Sequence, residues 1–211
     1  MKNLTIITLI GASALLFSCN ESESSEKIQI GDQWWAAKNL NTSVFRNGDV
    51  IQEAKSNDEW VKAGNENKPA WCYYGNNPEN SKKNGKLYNW FAVNDQRGLA
   101  PVGWHVASDA EWSLLISTLG GEKNAPTKMK STAGWEDSSN GTNISGFSAF
   151  PSGYRNFNGA FGYFVTNAYW WSSTEADSIH AVYHNIYYFT NVLTRDIDKK
   201  QVGFSVRCIK D

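Results

Sequence analysis

The sequence predicts an α+β fold: one domain of short antiparallel strands, one main amphipathic helix and long loops. Three observations predict it. Short runs rich in aromatic and β-branched residues recur along the chain, separated by Gly/Asn/Ser turns. Only one segment joins a strong helix-start signal to apolar residues at 3.6-residue spacing. The composition, with 10 Trp, 9 Tyr, 10 Phe and 17 Gly but 5 Pro in 211 residues, suits a turn-rich aromatic core rather than a helical bundle. Few helices and many short strands in one domain give α+β with an antiparallel sheet.

The chain starts with an export signal. Met1-Lys2-Asn3 supplies a positive start, and Leu4 to Phe17 is apolar apart from Thr5, Thr8, Gly11 and Ser13. That run is shorter than the ~20 residues of a spanning helix, which predicts a signal peptide over 1–18. Leu16-Phe17-Ser18-Cys19 resembles the lipobox of bacterial lipoproteins, with Phe17 bulkier than usual. The resemblance implies cleavage before Cys19 and acylation of its thiol. Residues 20–26, N-E-S-E-S-S-E, hold no apolar residue and read as an acidic, flexible tether. Acidic residues in that place resemble the surface-export signal of Bacteroidetes-type lipoproteins. They imply an outer-membrane, outward-facing domain, with a periplasm-facing one as the alternative.

Residues 27–211 are enough for one domain with a substantial core. Lys27 to Ile30, the turn Gly31-Asp32 and Gln33 to Ala36 read as a hairpin. Asn47-Gly48-Asp49 is a turn before Val50-Ile51. Asp58 to Ala63, after Ser56 and Asn57, reads as a short helix, and Trp71 to Tyr74 as a strand ended by Gly75-Asn76-Asn77-Pro78. Leu87 to Val93 fits strand or helix. Ser108-Asp109-Ala110-Glu111 is a capping box, after which Trp112, Leu115, Ile116 and Leu119 share one face and Gly120-Gly121 stops the helix. Gly146 to Phe150, Tyr169 to Ser172, His180 to Phe189, Val192 to Asp196 and Gly203 to Ile209 follow as short segments of strand composition.

Six ordered blocks identify a family. Ile30 to Asn41 (IGDQWWAAKNLN), Gly85 to Asn94 (GKLYNWFAVN), Pro101 to Trp112 (PVGWHVASDAEW), Gly146 to Arg155 (GFSAFPSGYR), Trp170 to Glu175 (WWSSTE) and Gly203 to Asp211 (GFSVRCIKD) resemble the Fibrobacter succinogenes major paralogous domain. The resemblance implies a lipoprotein-borne extracellular domain with no established activity. More distantly, the helix start and closing strand are similar to the C-type-lectin and formylglycine-generating-enzyme type of fold. That similarity implies paired terminal strands and long loops, and no function. Lys38, Ala100, Ala107 and Ser152 depart from the family's usual glutamate, cysteine, proline and glycine. If the family bridges position 100 to the cysteine matching Cys208, that bridge is lost here.

Candidate chemistry is sparse. A formal net charge of −1 leaves no electrostatic footprint for nucleic acid. With Cys19 taken by lipid, Cys72 and Cys208 form either a disulfide or two buried thiols. Nothing matches the reactive cysteine pair of formylglycine-generating enzymes, and no G-x-S-x-G or phosphate loop is present, so no catalytic residue is assigned. His180 and His184 form H-x-x-x-H, but four residues along a strand span ~13 Å, too far for one zinc. His105 is expected to make a structural hydrogen bond. Glu175 and Asp177 are the candidates for Ca²⁺; a solvated loop is the alternative. Trp170 and Trp171 must point to opposite strand faces, so one can fill the core while the other is exposed. An exposed tryptophan near Arg155, Glu175 or His184 would make a glycan or protein platform; aromatic core filling is the alternative. The sequence therefore predicts a membrane-anchored, non-enzymatic module binding glycan or a surface protein through loops at Phe157 to Phe164 and Trp170 to Asp177. An extracytoplasmic enzyme and a structural envelope protein are the alternatives.

Overall fold

The computed structural model describes residues 26–190 and 192–211. The expected signal peptide, Cys19 and tether residues 20–25 lie outside them.

The N-terminal hairpin forms as predicted. β1 (Lys27–Ile30) and β2 (Gln33–Ala36) pair antiparallel through Gly31, whose φ of +60° a side chain would resist. β13 (Cys208–Lys210) pairs on β2 and β6 (Trp104–Val106) on β13, giving a sheet of order β1-β2-β13-β6. The two ends of the domain therefore lie in one sheet, as the distant resemblance implies.

A second sheet is built from six short strands: β3 (Gln52–Glu53), β4 (Ala70–Cys72), β5 (Leu87–Asn89), β7 (Ser152–Arg155), β8 (Phe161–Phe164) and β12 (Gly203–Phe204). Their order is β3-β4-β5-β12-β7-β8, and within it β3 and β4 run parallel. The longest strands make the third sheet, β11-β10-β9, from β9 (Asn167–Glu175), β10 (His180–Tyr187) and β11 (Leu193–Lys199). The fold is α+β with mostly antiparallel sheets.

Five helices are present among the described residues. α1 (Asn57–Asn65) and α4 (Asp109–Thr118) both start with full capping boxes, Ser56 with Glu59 and Ser108 with Glu111. α1 thus joins α4 as a main helix, where the sequence had marked a single one. α2 (Ser81–Asn84), α3 (Trp90–Val93) and α5 (Ala125–Met129) are single turns. Leu87 to Val93, legible as strand or helix, is both: Asn89 ends β5 and its Oδ1 accepts the Ala92 amide to cap α3. Gly146 to Phe150 is not a strand; among the described residues its one β-bridge is Ala149 to Lys130, and β7 just after it takes the sheet position. Gly203 to Ile209 breaks into two strands, because Arg207 turns inward between them to reach the carbonyls of Ala36 and Phe147.

β9 divides the core. Tyr169 and Trp171 enter one cluster with Tyr88, Phe204 and Val206, while Ala168 and Trp170 enter another with Trp35, Trp112 and Phe147. Both faces of this strand are covered, one by the six-stranded sheet and the other by α4 and the N-terminal sheet.

Candidate functional site

Period-two alternation along β10 and β11 builds one wall of an open cleft. Tyr183 and Tyr187 share a face of β10, and the register pairs Tyr183 with Asp196 and Ala181 with Asp198, so both carboxylates lie on that same face. Phe204 of β12 and Tyr169 of β9 form the floor, stacked at 5.1 Å with planes 10° apart. Tyr154 of β7 meets Tyr169 edge-on at 5.4 Å and stacks against Tyr163 of β8 at 5.7 Å. Asn156 and Phe157, in the turn between β7 and β8, and Lys199 close the rim around a volume of about 290 Å³.

The backbone makes room for these rings. A Cβ on Gly162 would stand 2.9 Å from Tyr154 Cε1, so glycine lets the ring lie flat over β8. Tyr163 itself takes a φ of +58°, a left-handed conformation that costs a non-glycine residue ~1–2 kcal/mol and aims its ring outward.

The polar groups are few and unevenly satisfied. Tyr169 accepts a hydrogen bond from Asn167 Nδ2 at 2.7 Å, whereas the hydroxyls of Tyr154, Tyr163, Tyr183 and Tyr187 carry none among the described residues. Burial raises the phenol pKa values of Tyr154, Tyr169 and Tyr183, so these rings stay neutral. Asp198 Oδ1 accepts the Lys199 amide at 2.7 Å, and burial pushes its carboxyl pKa up. Lys199 does not pair with it: the ammonium lies 4.1 Å from the ring centre of Phe157. These groups can stack against a ligand and exchange hydrogen bonds with it. A larger depression of about 410 Å³ along α1 has no aromatic wall, and its Lys62 is already paired with Glu66.

The residues singled out from sequence fall elsewhere. Trp170 and Trp171 are both fully buried, which corrects the expectation that one would be exposed. They do point to opposite faces, but each face is core; Trp170 Nε1 donates to Asn39 Oδ1 and Trp171 Nε1 to the Tyr88 carbonyl, both at 2.9 Å. Arg155 is also buried rather than available to a ligand. It donates to the carbonyls of Gly159, Ala54 and Ser56 and lies between the rings of Trp60 and Phe161, fastening β7 to the start of α1.

His184 is buried against Trp112, with ring centres 5.2 Å apart. Its Nε2 lies 3.1 Å from Asp109 Oδ1, while Nδ1 has no partner among the described residues. A carboxylate only accepts, so the proton sits on Nε2 and the unpaired nitrogen is a lone pair. Burial lowers the pKa of this imidazole to about 4, against the opposing pull of Asp109. Glu175 pairs with Lys200, and Asp177 accepts the amides of Ile179 and His180 and pairs with the His180 ring. Arg155, Glu175 and His184 are thus not brought together. Among the described residues no group of three or more His, Cys, Asp or Glu stands close enough to hold a metal ion.

His105 makes the structural contacts expected of it, 2.7 Å to Glu111 and 2.7 Å to Asp211. Cys72 and Cys208 are two buried free thiols in separate clusters, and burial pushes each up to about 12. Ala100 packs in the same cluster as Cys208.

Of the cleft, sequence reasoning reached only Phe157 and Tyr163, as part of a loop. It missed Tyr154, Asn156, Tyr183, Asp198 and Lys199. The available signal was alternation: Y-H-N-I-Y at Tyr183 to Tyr187 and D-I-D-K at Asp196 to Lys199 place their aromatic and acidic residues on single faces.

Comparison with known proteins gives one match: residues 28–210 fit the family model of the Fibrobacter succinogenes major domain (Fib_succ_major). No curated protein and no solved structure matches the chain.

Proposed function

The chain belongs to the Fibrobacter succinogenes major domain family, and we propose that it is a lipid-anchored, surface-displayed binding module, not an enzyme, that takes an extracellular glycan or protein ligand in the tyrosine cleft. The observation that carries this reading is the cleft itself. Exposed and half-buried rings converge there with phenol hydroxyls that have no partner among the described residues, the arrangement of a site that both stacks and hydrogen-bonds. Of the two loop regions expected from sequence, Phe157 to Phe164 contributes to it and Trp170 to Asp177 does not.

Anchoring rests on Leu16-Phe17-Ser18-Cys19 and the acidic stretch after it. Two or three acyl chains would hold the protein stably, at ~0.8 kcal/mol for each buried CH₂. No helix among the described residues is long and apolar enough to cross a membrane, so in this reading the lipid is the attachment. The outer membrane, with the domain facing outward, is the proposed location.

Binding of residues 20–211 to a glycan array, or capture of a defined surface protein, that is lost in Tyr163→Ala supports the reading. No Tyr163-dependent binding to either class sinks it. Labelling with a radioactive fatty acid should mark the wild type and not Cys19→Ser, and protease added to intact cells should remove the domain. Protection from that protease would place it on the periplasmic side.

A further inference from the structure

We propose that the tyrosine cleft recognises an organic ammonium group, of the quaternary, methylated kind, seated on the rings of Tyr154 and Tyr183 against the carboxylate of Asp198. This rests on the reading of the cleft as a binding site and names the chemistry of what enters it.

Three features of the cleft point to a cation. Its walls are the negative faces of neutral aromatic rings, which attract an ammonium by cation–π interaction. Tyr154, Tyr169, Tyr183 and Phe204 stand within 4.8–6.2 Å of one another in linked pairs, so a small group entering the cleft meets several rings together. Secondly, the cleft carries a carboxylate, Asp198, that the one lining cation, Lys199, does not pair with. Asp198 and Asp196 lie on the cleft face of β11, and neither forms an ion pair among the described residues. Asp198 is partly withdrawn from water, and an unpaired carboxylate in that position is stabilised by an arriving positive group.

Thirdly, the protein already places one ammonium on this aromatic surface. Lys199 Nζ sits 4.1 Å from the ring centre of Phe157 instead of pairing with Asp198 beside it in sequence. The ring of Phe157 carries that ammonium, while among the described residues no cation stands over those of Tyr154 and Tyr183. A methylated ammonium also suits the lining better than a primary one. It gains from contact with several rings at once, which the linked aromatic side chains offer, and leaves the phenol hydroxyls to the rest of its carrier. The volume of about 290 Å³ accepts a trimethylammonium head with part of its carrier. An anionic ligand would face the Asp198 carboxylate.

The test is calorimetric titration of the full chain in detergent with choline and with 3,3-dimethylbutan-1-ol, its uncharged isostere. Choline should bind saturably, and the isostere at least tenfold more weakly. Asp198→Asn, which keeps the side-chain shape, should weaken choline at least fivefold, and Tyr163→Leu, at an exposed wall position, should weaken it without unfolding the domain. Equal binding of choline and its isostere, absence of choline binding, or an unaffected Asp198→Asn would each overturn the proposal. If choline fails while a neutral glycan or a protein still binds in a Tyr163-dependent way, the ammonium inference falls and the binding module stands. If nothing binds, both fall.

Discussion

Tyr163 stacks on Tyr154 from a left-handed backbone, its ring 5.7 Å away and tilted by 21°. Such a stacked pair contributes ~0.5–1.5 kcal/mol, about what the conformation costs. The local geometry is therefore close to energetically neutral, and the ring's main consequence is the cleft wall it supplies.

Tyr163→Gly separates stability from binding. Glycine removes the backbone strain as well as the ring, so the melting temperature should stay within about 4 °C of wild type. Ligand affinity at the cleft should fall at least tenfold. Thermal unfolding and titration on the same preparation check it. A fall of more than 10 °C would show that the ring holds the fold.

Trp170→Ala should destabilise the domain by about 3–5 kcal/mol in urea, since it empties a buried site and strips Asn39 Oδ1 of an indole donor. Phe157→Ala should cost less than ~1 kcal/mol, because that ring is 42% exposed. The contrast reverses what the tryptophan pair suggests from sequence.

Acid sensitivity should centre on His184. Its imidazole titrates at about 4 in the folded state and near the ordinary 6.5 when unfolded, because burial disfavours the charged ring. Between those values the unfolded chain binds the extra proton, so stability is full above pH 6.5 and declines as pH falls toward 4, by about 3 kcal/mol in all. Asp109 and Arg195 are the charged groups beside it, and they pair with each other. His105 acts elsewhere on the scale. Burial opposes its charging, but Asp211 and Glu111 raise its pKa, so its contribution is lost only as pH rises through that raised value. Urea midpoints from pH 7 to 4 should fall for wild type and stay nearly flat for His184→Phe; equal slopes would remove His184 from the account.

Cys72 and Cys208 should resist alkylation in the native protein, since burial holds both thiols at about 12 and the thiolate is the reactive form. After unfolding without reductant, peptide mapping should find both labelled. A disulfide-linked peptide would contradict the two-thiol structure.

The elements that sequence rendered well are those set by neighbours along the chain. The Ser108 to Glu111 capping box, the Gly31 turn and the Gly48 turn each need only a few adjacent residues. What it rendered badly depends on partners far away. Trp170-Trp171 alternates as read, but alternation cannot say that a second layer covers the outer face; here α4 arrives from 58 residues upstream at Trp112, and the six-stranded sheet covers the other side. Arg155 looked available because arginine usually is, whereas its carbonyl partners, Ala54 and Ser56, are a hundred residues distant. The cleft escaped notice for the same reason: Tyr183 and Asp198 lie on neighbouring strands of one sheet and Tyr154 on another sheet that only tertiary packing brings beside it.

The N-terminal hairpin also decides how the domain would bear load. β1 is the outer strand of its sheet, and its first residue, Lys27, pairs with Ala36 at the open end of the hairpin. Tension arriving from the upstream chain would peel β1 from β2 one bond at a time, starting at the Glu26 carbonyl that accepts the Ala37 amide. Peeling yields at lower force than shearing a whole strand. The cleft is framed by β7 to β12 and shares no strand with that hairpin, so tension entering at Lys27 would free β1 before it disturbed the cleft.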